Sequence, residues 1–352
     1  MSFIKNKALG LFVKTNGFLS KQLFGGNGIV LMFHRVRPQE LMSKFEQNRR
    51  WEITPEKLEN IIQFFKRNNC QIISAHQISD YVNSPNNKPF VVFTFDDGYS
   101  DNLEYAYPIF KKYNVPFTIF VTTSYVQGRR YPYEFLIENY LNDGCNFSFN
   151  YKNTEYTYKD LNENQKSKVF SQIYKIVKEN NNNIDLDCTL QTLFGDYLNT
   201  NYKTIKIIEP QTICSLRNDA VVSFGLHTEN HYVLSQLTYP AQLNEINNSL
   251  DYLKSLNVDI HSTMAYPYGG ENDINGDTLK IIESAKIKNC FTTWPGNVSK
   301  NIPPNLYPRY CVDSKTDEQE LTYLLNGIRH FSYNGFSRKT VMGRRFVYCD
   351  DD

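Results

Sequence analysis

Short apolar runs recur along the chain, and patterns typical of helices separate many of them. Seven runs have the length and composition of buried strands: Ile29–Phe33, Gln71–Ser74, Val91–Phe95, Phe117–Val121, Val221–Phe224, Thr263–Tyr266 and Cys290–Thr293. A strand of a parallel sheet is covered on both faces, so it appears as a continuous apolar run rather than an alternating one. Strands that alternate with helices form βα units, and about seven such units favour a barrel over an open sheet. The sequence therefore predicts an α/β fold built as a βα barrel.

The segment from residue 126 to residue 220 interrupts this alternation. It carries helical patterns, with Val169, Ile173 and Val177 on one helical face, but no run that reads as a core strand. The surrounding sequence is polar and rich in asparagine. We therefore predict a helical insertion between two barrel strands and not a separate catalytic domain.

Charge and cysteine content exclude some classes of protein. The 352 residues carry 38 lysines and arginines against 37 aspartates and glutamates, a formal net charge of +1. This balance argues against binding through bulk positive charge, so no nucleic-acid partner is expected. The 7 cysteines are scattered and form no Cys-x-x-Cys motif. A disulfide framework or a thiolate zinc site is therefore not expected, and a reducing compartment fits best.

The two ends of the chain differ from its middle. Residues 1–25 are basic, with apolar residues between the lysines, but they lack the compact apolar core of a signal peptide. Two interpretations stay open for them, an amphipathic helix on an anionic membrane surface and a helix docked on its own domain. No apolar run is long enough for a membrane-spanning helix. We expect a cytoplasmic protein with peripheral membrane association, and residues 313–352 as a C-terminal extension.

Five of the seven predicted strands are followed at once by chemically capable or geometrically special residues. The segments are His34, Asp96–Tyr99, Gly225–His231, Pro267–Gly270 and Trp294–Gly296. In barrels of βα units the active site is built from the loops after the C-terminal ends of the strands. The sequence therefore predicts that these segments meet at one rim of the barrel.

Two histidines and a pair of aspartates are the most informative residues at this rim. The i, i+4 spacing of His227 and His231 places both imidazoles on one face of a helical turn, as metal chelation requires. With one aspartate they form a set of two histidines and one carboxylate, which leaves open positions on a metal. Zn²⁺ is the default divalent metal, and Fe, Co, Ni or Mn also fit. Asp96 and Asp97 are adjacent on a strand end and point in opposite directions, so each is free to hold a different role.

Three segments of the chain resemble the motifs of a known family. Thr94–Tyr99 resembles the first motif of the polysaccharide deacetylases, the NodB-homology or family 4 carbohydrate esterases, His227–His231 resembles the second, and Ala265–Gly269 the third. The resemblance covers residues 26–125 and 221–312, and it implies a distorted, NodB-like barrel of βα units, of the (β/α)7 type by the strand count, interrupted by the helical insertion 126–220.

The resemblance also implies roles for the site residues. Asp96 matches the general base, and Asp97, His227 and His231 match the metal ligands. Tyr268 matches the tyrosine whose backbone N–H binds the oxyanion formed from the amide carbonyl.

The chain departs from the family pattern at two points. The third motif usually carries an arginine two residues before its proline, where this chain has Ala265, and Arg309 is the expected replacement. The usual C-terminal histidine motif is also missing. His34 lies in a Met-Phe-His element that resembles one in exopolysaccharide and biofilm-polysaccharide deacetylases, so we expect it to be the general acid, with His330 as the alternative.

Together these patterns predict a metal-dependent hydrolase. It is expected to remove N-acetyl groups from hexosamine units of a surface polysaccharide or of its precursor, so the expected partner is an N-acetylated glycan or a lipid-linked sugar precursor. One alternative is an amidohydrolase that uses the same metal site on a non-sugar amide. Another is a glycan-binding protein without catalytic activity.

Overall fold

The computed structural model describes residues 26–84, 88–143, 146–182, 185–198 and 205–330. The amphipathic segment predicted for residues 1–25 lies outside the described residues, and so does the part of the predicted C-terminal extension after residue 330. No helix among the described residues is both long enough and apolar enough to cross a bilayer.

The strands and helices alternate through most of the chain. The strands are β1 Gly28–Phe33, β2 Arg35–Val36, β3 Glu52–Ile53, β4 Gln71–Ile72, β5 Phe90–Phe95, β6 Phe117–Val121, β7 Phe147–Tyr151, β8 Thr154–Tyr158, β9 Val222–Leu226, β10 Thr263–Ala265, β11 Asn289–Phe291 and β12 Tyr310–Cys311. The α-helices are Glu46–Arg49, Pro55–Arg67, Ile78–Asn83, Tyr107–Tyr113, Thr123–Val126, Tyr133–Asn142, Glu163–Glu179, Asp185–Phe194, Pro210–Leu216, Tyr239–Ser255, Gly276–Ser284 and Glu318–Leu325.

The main sheet is parallel and curls into a barrel. Its strands lie in the order β11-β10-β9-β6-β5-β1-β12, and β4 pairs with β5 beside this path. The residue that joins the two ends of the sheet is Tyr307, just before β12. Its N–H donates to the carbonyl of Cys290 at 2.8 Å, and its carbonyl accepts from the N–H of Thr292 at 2.9 Å. The prediction of a distorted barrel of βα units is confirmed.

The central strands owe their position to continuous apolar sequence. Every residue of β1 and of β5 is buried, because the barrel interior covers one face and helices cover the other. Thr54 is the N-cap of the helix Pro55–Arg67, and its side chain accepts from the N–H of Lys57 at 3.2 Å. Its apolar face packs on the sheet with Leu58 and Phe65 completely buried. Each such side chain contributes about 1.5–3 kcal/mol through burial.

The segment 126–220 contains more than helices. Besides the helices it holds the antiparallel hairpin β7–β8, in which Phe147 pairs with Tyr158 and Tyr151 with Thr154. The hairpin turns at Lys152 and Asn153, with φ angles of 47° and 62°. The prediction of a purely helical insertion is therefore incomplete. These strands are half exposed and alternate aromatic with polar residues, so they lack the continuous apolar run that identifies core strands.

Candidate active site and metal centre

The C-terminal ends of the barrel strands surround one cavity of about 220 Å³. Six of the seven predicted site residues line it: His34 after β1, Asp96 and Asp97 after β5, His227 and His231 after β9, and Tyr268 after β10. The seventh, Arg309, lies behind Asp96 and is completely buried. The strand ends thus bring together side chains that are far apart in sequence, as expected at the carboxyl edge of a parallel barrel.

Asp97, His227 and His231 form a set of metal-ligand donors. The Oδ1 atom of Asp97 lies 3.5 Å from Nε2 of His227 and 3.4 Å from Nε2 of His231. One donor atom from each of the three residues falls within 4.8 Å of the others. Ligands about 2.1 Å from a tetrahedrally coordinated ion are separated by roughly 3.4 Å. Asp97 Oδ1 is also buried without a hydrogen-bond partner among the described residues.

The protonation of these donors favours cation binding. Nδ1 of His227 donates to the carbonyl of Ala265 at 2.8 Å, so Nε2 is the nitrogen that faces Asp97. Burial lowers the pKa of His231 to about 4, so its imidazole is neutral at pH 7. Burial acts to raise the pKa of Asp97, but the three nearby histidines outweigh it, and the pKa of Asp97 lies well below its usual range. Burial acts to lower the pKa of His227, but Asp96 and Asp97 outweigh it, so the pKa of His227 is raised. At neutral pH the set therefore offers the carboxylate of Asp97 and the neutral imidazole of His231, and His227 becomes a donor once a cation displaces its proton.

The two histidines meet through a loop and not through a helix. The helical turn assumed for residues 227–231 is wrong, because Thr228 and His231 have left-handed φ angles of 62° and 59°. Within the loop, the N–H of His231 donates to Oγ1 of Thr228 at 3.1 Å. Glu245 accepts from the backbone N–H of Asn230 at 2.8 Å and from its side chain at 2.6 Å. These bonds fold the loop so that the imidazole rings come within 4.9 Å of each other.

Arg309 makes a two-pronged ion pair with Asp96. Its terminal nitrogens lie 2.7 Å and 2.8 Å from the two carboxylate oxygens of Asp96. Its Nε donates to the carbonyl of Thr292 at 2.9 Å, which fixes the plane of the guanidinium. Burial acts to raise the pKa of Asp96, but the charge of Arg309 overcomes it and the pKa is lowered. Arg309 thus contacts the carboxylate of Asp96. This is the contact expected of the arginine in the family's third motif, which Ala265 replaces in this chain.

Tyr268 has a left-handed backbone conformation. Its φ angle is 58° and that of Gly269 is 60°. Across the described part of the chain, no acceptor lies within hydrogen-bonding distance of the Tyr268 backbone N–H. The Tyr268 carbonyl, in contrast, accepts from Oγ1 of Thr293 at 2.7 Å. A backbone N–H that no protein acceptor takes up is available to a ligand, as a donor to an oxyanion must be.

The two candidate acids lie in different surroundings. His34 lines the cavity, its ring lies 4.6 Å from that of Trp51, and its Nδ1 is buried with no hydrogen-bond partner among the described residues. Burial lowers the pKa of His34, and the charges of Asp97 and Asp96 partly oppose this. His330 is buried elsewhere and its Nδ1 accepts from the N–H of Asn297 at 3.0 Å. The structure therefore places His34, and not His330, at the cavity.

The outer wall of the cavity comes from residues that the sequence did not single out. They are Asn48, Arg50, Trp51, Glu134, Phe135, Tyr174 and Lys178. Trp51 is one of only 2 tryptophans in the sequence, and this rarity is a weak signal for a functional residue. Glu134, Tyr174 and Lys178 belong to helices of the insertion, where no motif marks them. Burial raises the pKa of Glu134 to about 8.

Comparisons with known proteins agree with this arrangement. Residues 83–290, more than half of the chain, match the sequence model described as polysaccharide deacetylase. The search of curated proteins finds no match.

Several solved structures have a similar fold. The Streptococcus pyogenes deacetylase PplD, solved with acetate, has 20% identity and a TM-score of 0.56 over 84% of this chain and 97% of that chain. IcaB from Ammonifex degensii has 17% identity and a TM-score of 0.54, covering 86% and 99%. A de-N-acetylase from Aggregatibacter actinomycetemcomitans has 15% identity and a TM-score of 0.54, covering 84% and 99%. At these identities the likeness establishes the fold alone.

Proposed function

Because the chain belongs to the polysaccharide deacetylase family, we propose that it removes N-acetyl groups from N-acetylhexosamine units of a surface polysaccharide or its precursor in a metal-dependent reaction. Membership in the family makes the protein a deacetylase that acts on polysaccharide. The metal requirement and the sugar are the parts proposed here. The observation that carries the metal requirement is the convergence of Asp97, His227 and His231 within 4.8 Å beside the Asp96–Arg309 pair, and family membership is what supports a sugar substrate.

The donor set fits a divalent cation. One carboxylate oxygen and two imidazole nitrogens would hold it, with open positions for water and for the acetamide oxygen. The unpartnered Oδ1 of Asp97 supports this fit, since a buried carboxylate oxygen without a partner is costly. Zn²⁺ is the default, and Fe²⁺, Co²⁺, Ni²⁺ and Mn²⁺ suit the same donors. When bound, such an ion polarises the acetamide carbonyl and lowers the pKa of water.

The remaining steps belong to residues of the chain. Asp96, kept ionised by Arg309, accepts the proton of the attacking water. The backbone N–H of Tyr268 donates to the oxyanion of the tetrahedral intermediate. His34 delivers a proton to the nitrogen as the C–N bond breaks. The products are acetate and a free amino sugar. Because burial lowers the pKa of His34, it has to gain a proton before it can act as the acid.

The setting of the reaction is also part of the proposal. The substrate is an N-acetylated glycan or a lipid-linked precursor, and the protein acts in the cytoplasm with peripheral membrane contact through residues 1–25. That segment lies outside the described residues. Fractionation of native cells checks the location, and recovery of the native protein from outside the cell would refute it.

Acetate release tests the activity itself. The purified protein is stripped with a chelator, reloaded with each candidate metal in turn, and assayed on N-acetylated oligosaccharides, a lipid-linked acetamido sugar and non-sugar acetamides. We expect acetate only from the sugars and only after reloading. Activity that survives chelation would refute the metal requirement. Preference for non-sugar amides would favour the amidohydrolase alternative, and sugar binding without acetate release would favour a glycan-binding protein.

A further inference from the structure

Left-handed backbone conformations recur at the cavity. Asp97 has a φ angle of 75°, and two residues with ring side chains, Tyr268 and His231, have φ angles of 58° and 59°. For a residue other than glycine, the left-handed conformation costs about 1–2 kcal/mol. Such conformations persist where the surrounding structure holds them in place. The contacts around Tyr268 therefore identify the residues that maintain it.

Asn181 contacts both Tyr268 and His231 from the insertion. Its Nδ2 donates to the hydroxyl of Tyr268 and also to the backbone carbonyl of His231, the latter at 3.3 Å. An amide nitrogen carries two protons, so both are used. Asn181 is only 1% exposed, and hydrogen bonds made away from water hold their partners more firmly. One side chain thus ties the tyrosine of the third motif to a metal-ligand residue of the second.

Tyr133 holds the same hydroxyl from a second direction. The hydroxyl oxygens of Tyr133 and Tyr268 lie 2.7 Å apart. Because the Tyr268 hydroxyl accepts from Asn181, its own proton is available to the oxygen of Tyr133. Tyr133 begins the helix Tyr133–Asn142, whereas Asn181 follows the helix Glu163–Glu179. Two separate elements of the insertion therefore converge on one side chain of the barrel rim.

The neighbouring asparagine shows that this contact is specific to one position. The Nδ2 of Asn180 donates to the hydroxyl of Tyr151 and to the carbonyl of Ile176, at 2.7 Å and 2.6 Å. Both acceptors belong to the insertion, so Asn180 stabilises the insertion alone. It provides a matched control, because it has the same chemistry and adjoining position but does not contact the rim.

We propose that the insertion is part of the catalytic apparatus, and that Asn181 and Tyr133 are positioning residues which hold Tyr268 so that its backbone N–H meets the developing oxyanion. This inference rests on the proposed function, in which that N–H stabilises the oxyanion. Donors to an oxyanion act because they are aligned before the charge develops. A displacement of about 1 Å costs on the order of 10²-fold in rate.

Side-chain truncations that spare the N–H test the proposal. Asn181→Ala, Tyr268→Phe and the double variant are assayed on an N-acetylated oligosaccharide at saturating metal. Each single variant is expected to lower kcat by about 10- to 100-fold, with KM within about twofold, because the N–H remains but is misplaced. The combined loss in the double variant is expected to be well below the product of the two single losses, since both changes break the Asn181–Tyr268 bond and each breaks only one further bond.

Control measurements separate positioning from folding and metal binding. Asn180→Ala is expected to keep kcat within about twofold of the wild type, and melting curves and metal titrations are recorded for every variant. Losses that multiply in the double variant, or a kcat within twofold in Asn181→Ala, would overturn the proposal. If Asn181→Ala does not fold, Tyr268→Phe alone tests the proposal. A fall in kcat of about 10-fold or more supports it, and a kcat within about twofold of the wild type overturns it. An active wild type with an unaffected Asn181→Ala refutes only the positioning role, whereas an inactive wild type refutes the proposed function as well.

Discussion

The barrel face and the insertion face of the cavity hold their polar groups by different means. On the barrel face the carboxylates are ionised, with Asp96 paired with Arg309 at 2.7 Å and 2.8 Å, and Asp97 beside the imidazole nitrogens of His227 and His231. On the insertion face neutral hydroxyl and amide groups bond to each other, as in the pair Tyr133–Tyr268. The carboxyl group of Glu134, which lines this face, forms no ion pair with any described residue.

This difference separates two tasks within one cavity. Charged groups on strand ends are fixed by the barrel, so they suit cation binding and proton transfer, which need constant geometry. Hydrogen bonds between uncharged groups of the insertion hold Tyr268, while the charge of Lys178 on this face lies against the Tyr268 ring, 4.9 Å from its centroid. The barrel face is therefore expected to control the chemical step directly, and the insertion face to control alignment. Substitutions on the two faces are expected to differ in how much they lower activity and in how their effects depend on pH.

The largest expected effect follows removal of a carboxylate on the barrel face. Asp97→Ala takes one donor from the metal-ligand set, so we expect loss of stable metal binding and at least about a 10³-fold fall in activity, equivalent to about 4 kcal/mol in the barrier. Metal content of the purified protein and acetate release measure these two effects. The exposed Asp251, in the helix Tyr239–Ser255, supplies the control Asp251→Ala. Full metal occupancy in Asp97→Ala would contradict the ligand assignment.

Arg309→Met is expected to have the next largest effect, and its signature is a shift in pH dependence. Without the guanidinium, burial is opposed only by the charges of His227 and His34, so the pKa of Asp96 rises. The base works in its ionised form, so activity is lost as pH falls through that pKa. The acid limb of kcat/KM should therefore move to higher pH, by roughly one unit or more. Breaking the buried pair should also lower the free energy of unfolding by about 3–5 kcal/mol.

A matched surface substitution controls for the loss of an arginine. Arg67→Met breaks the exposed pair with Glu318 and is expected to change the free energy of unfolding by less than about 1 kcal/mol. Arg309→Lys keeps the charge but loses the two-pronged geometry, so an intermediate shift of the acid limb is expected. An acid limb at the wild-type pH in Arg309→Met would show that Arg309 does not set the ionisation of Asp96.

The smallest effect is expected from Glu134→Gln on the insertion face. Burial raises the pKa of Glu134 to about 8 in the folded protein, above the value of about 4.3 expected in the unfolded chain. The folded state therefore keeps a proton that the unfolded state has lost, and the free energy of unfolding of the metal-free protein should fall as pH rises between these values. Glutamine cannot ionise, so the variant should lose this part of the pH dependence.

Urea unfolding of the metal-free protein between pH 5 and pH 9 measures the slope. The exposed Glu179 of the same insertion gives the control Glu179→Gln, which should keep the wild-type slope. At pH 7 the activity of Glu134→Gln should stay within about threefold of the wild type, because a protonated glutamate and a glutamine are similar in shape and charge. If the free energy of unfolding depends on pH equally in the wild type and in Glu134→Gln, Glu134 does not have a raised pKa, and the contrast drawn between the two faces is wrong.

The accuracy of the sequence-based predictions differs even within the barrel. Strands β1, β5 and β6 were predicted within one residue of their observed ends, because a strand buried on both faces needs an unbroken apolar run. Strand β12 was missed, since two residues carry no pattern. The loop 227–231 was predicted as a helical turn because spacing alone does not distinguish a helix from a left-handed loop.

The amino-acid sequence by itself determined the barrel strands and the residues that follow them, because burial and strand ends leave local patterns. It also singled out Arg309, but through a family pattern and not through any local signal. Only the tertiary structure decided that Arg309 meets Asp96 across 213 positions of the chain, and that Asn181 and Tyr133 reach Tyr268. The first contact depends on the pairing of β12 with β1, which lies beside β5, and the second depends on how the insertion packs against the rim. Both are contacts between segments distant in sequence, which leave no local pattern.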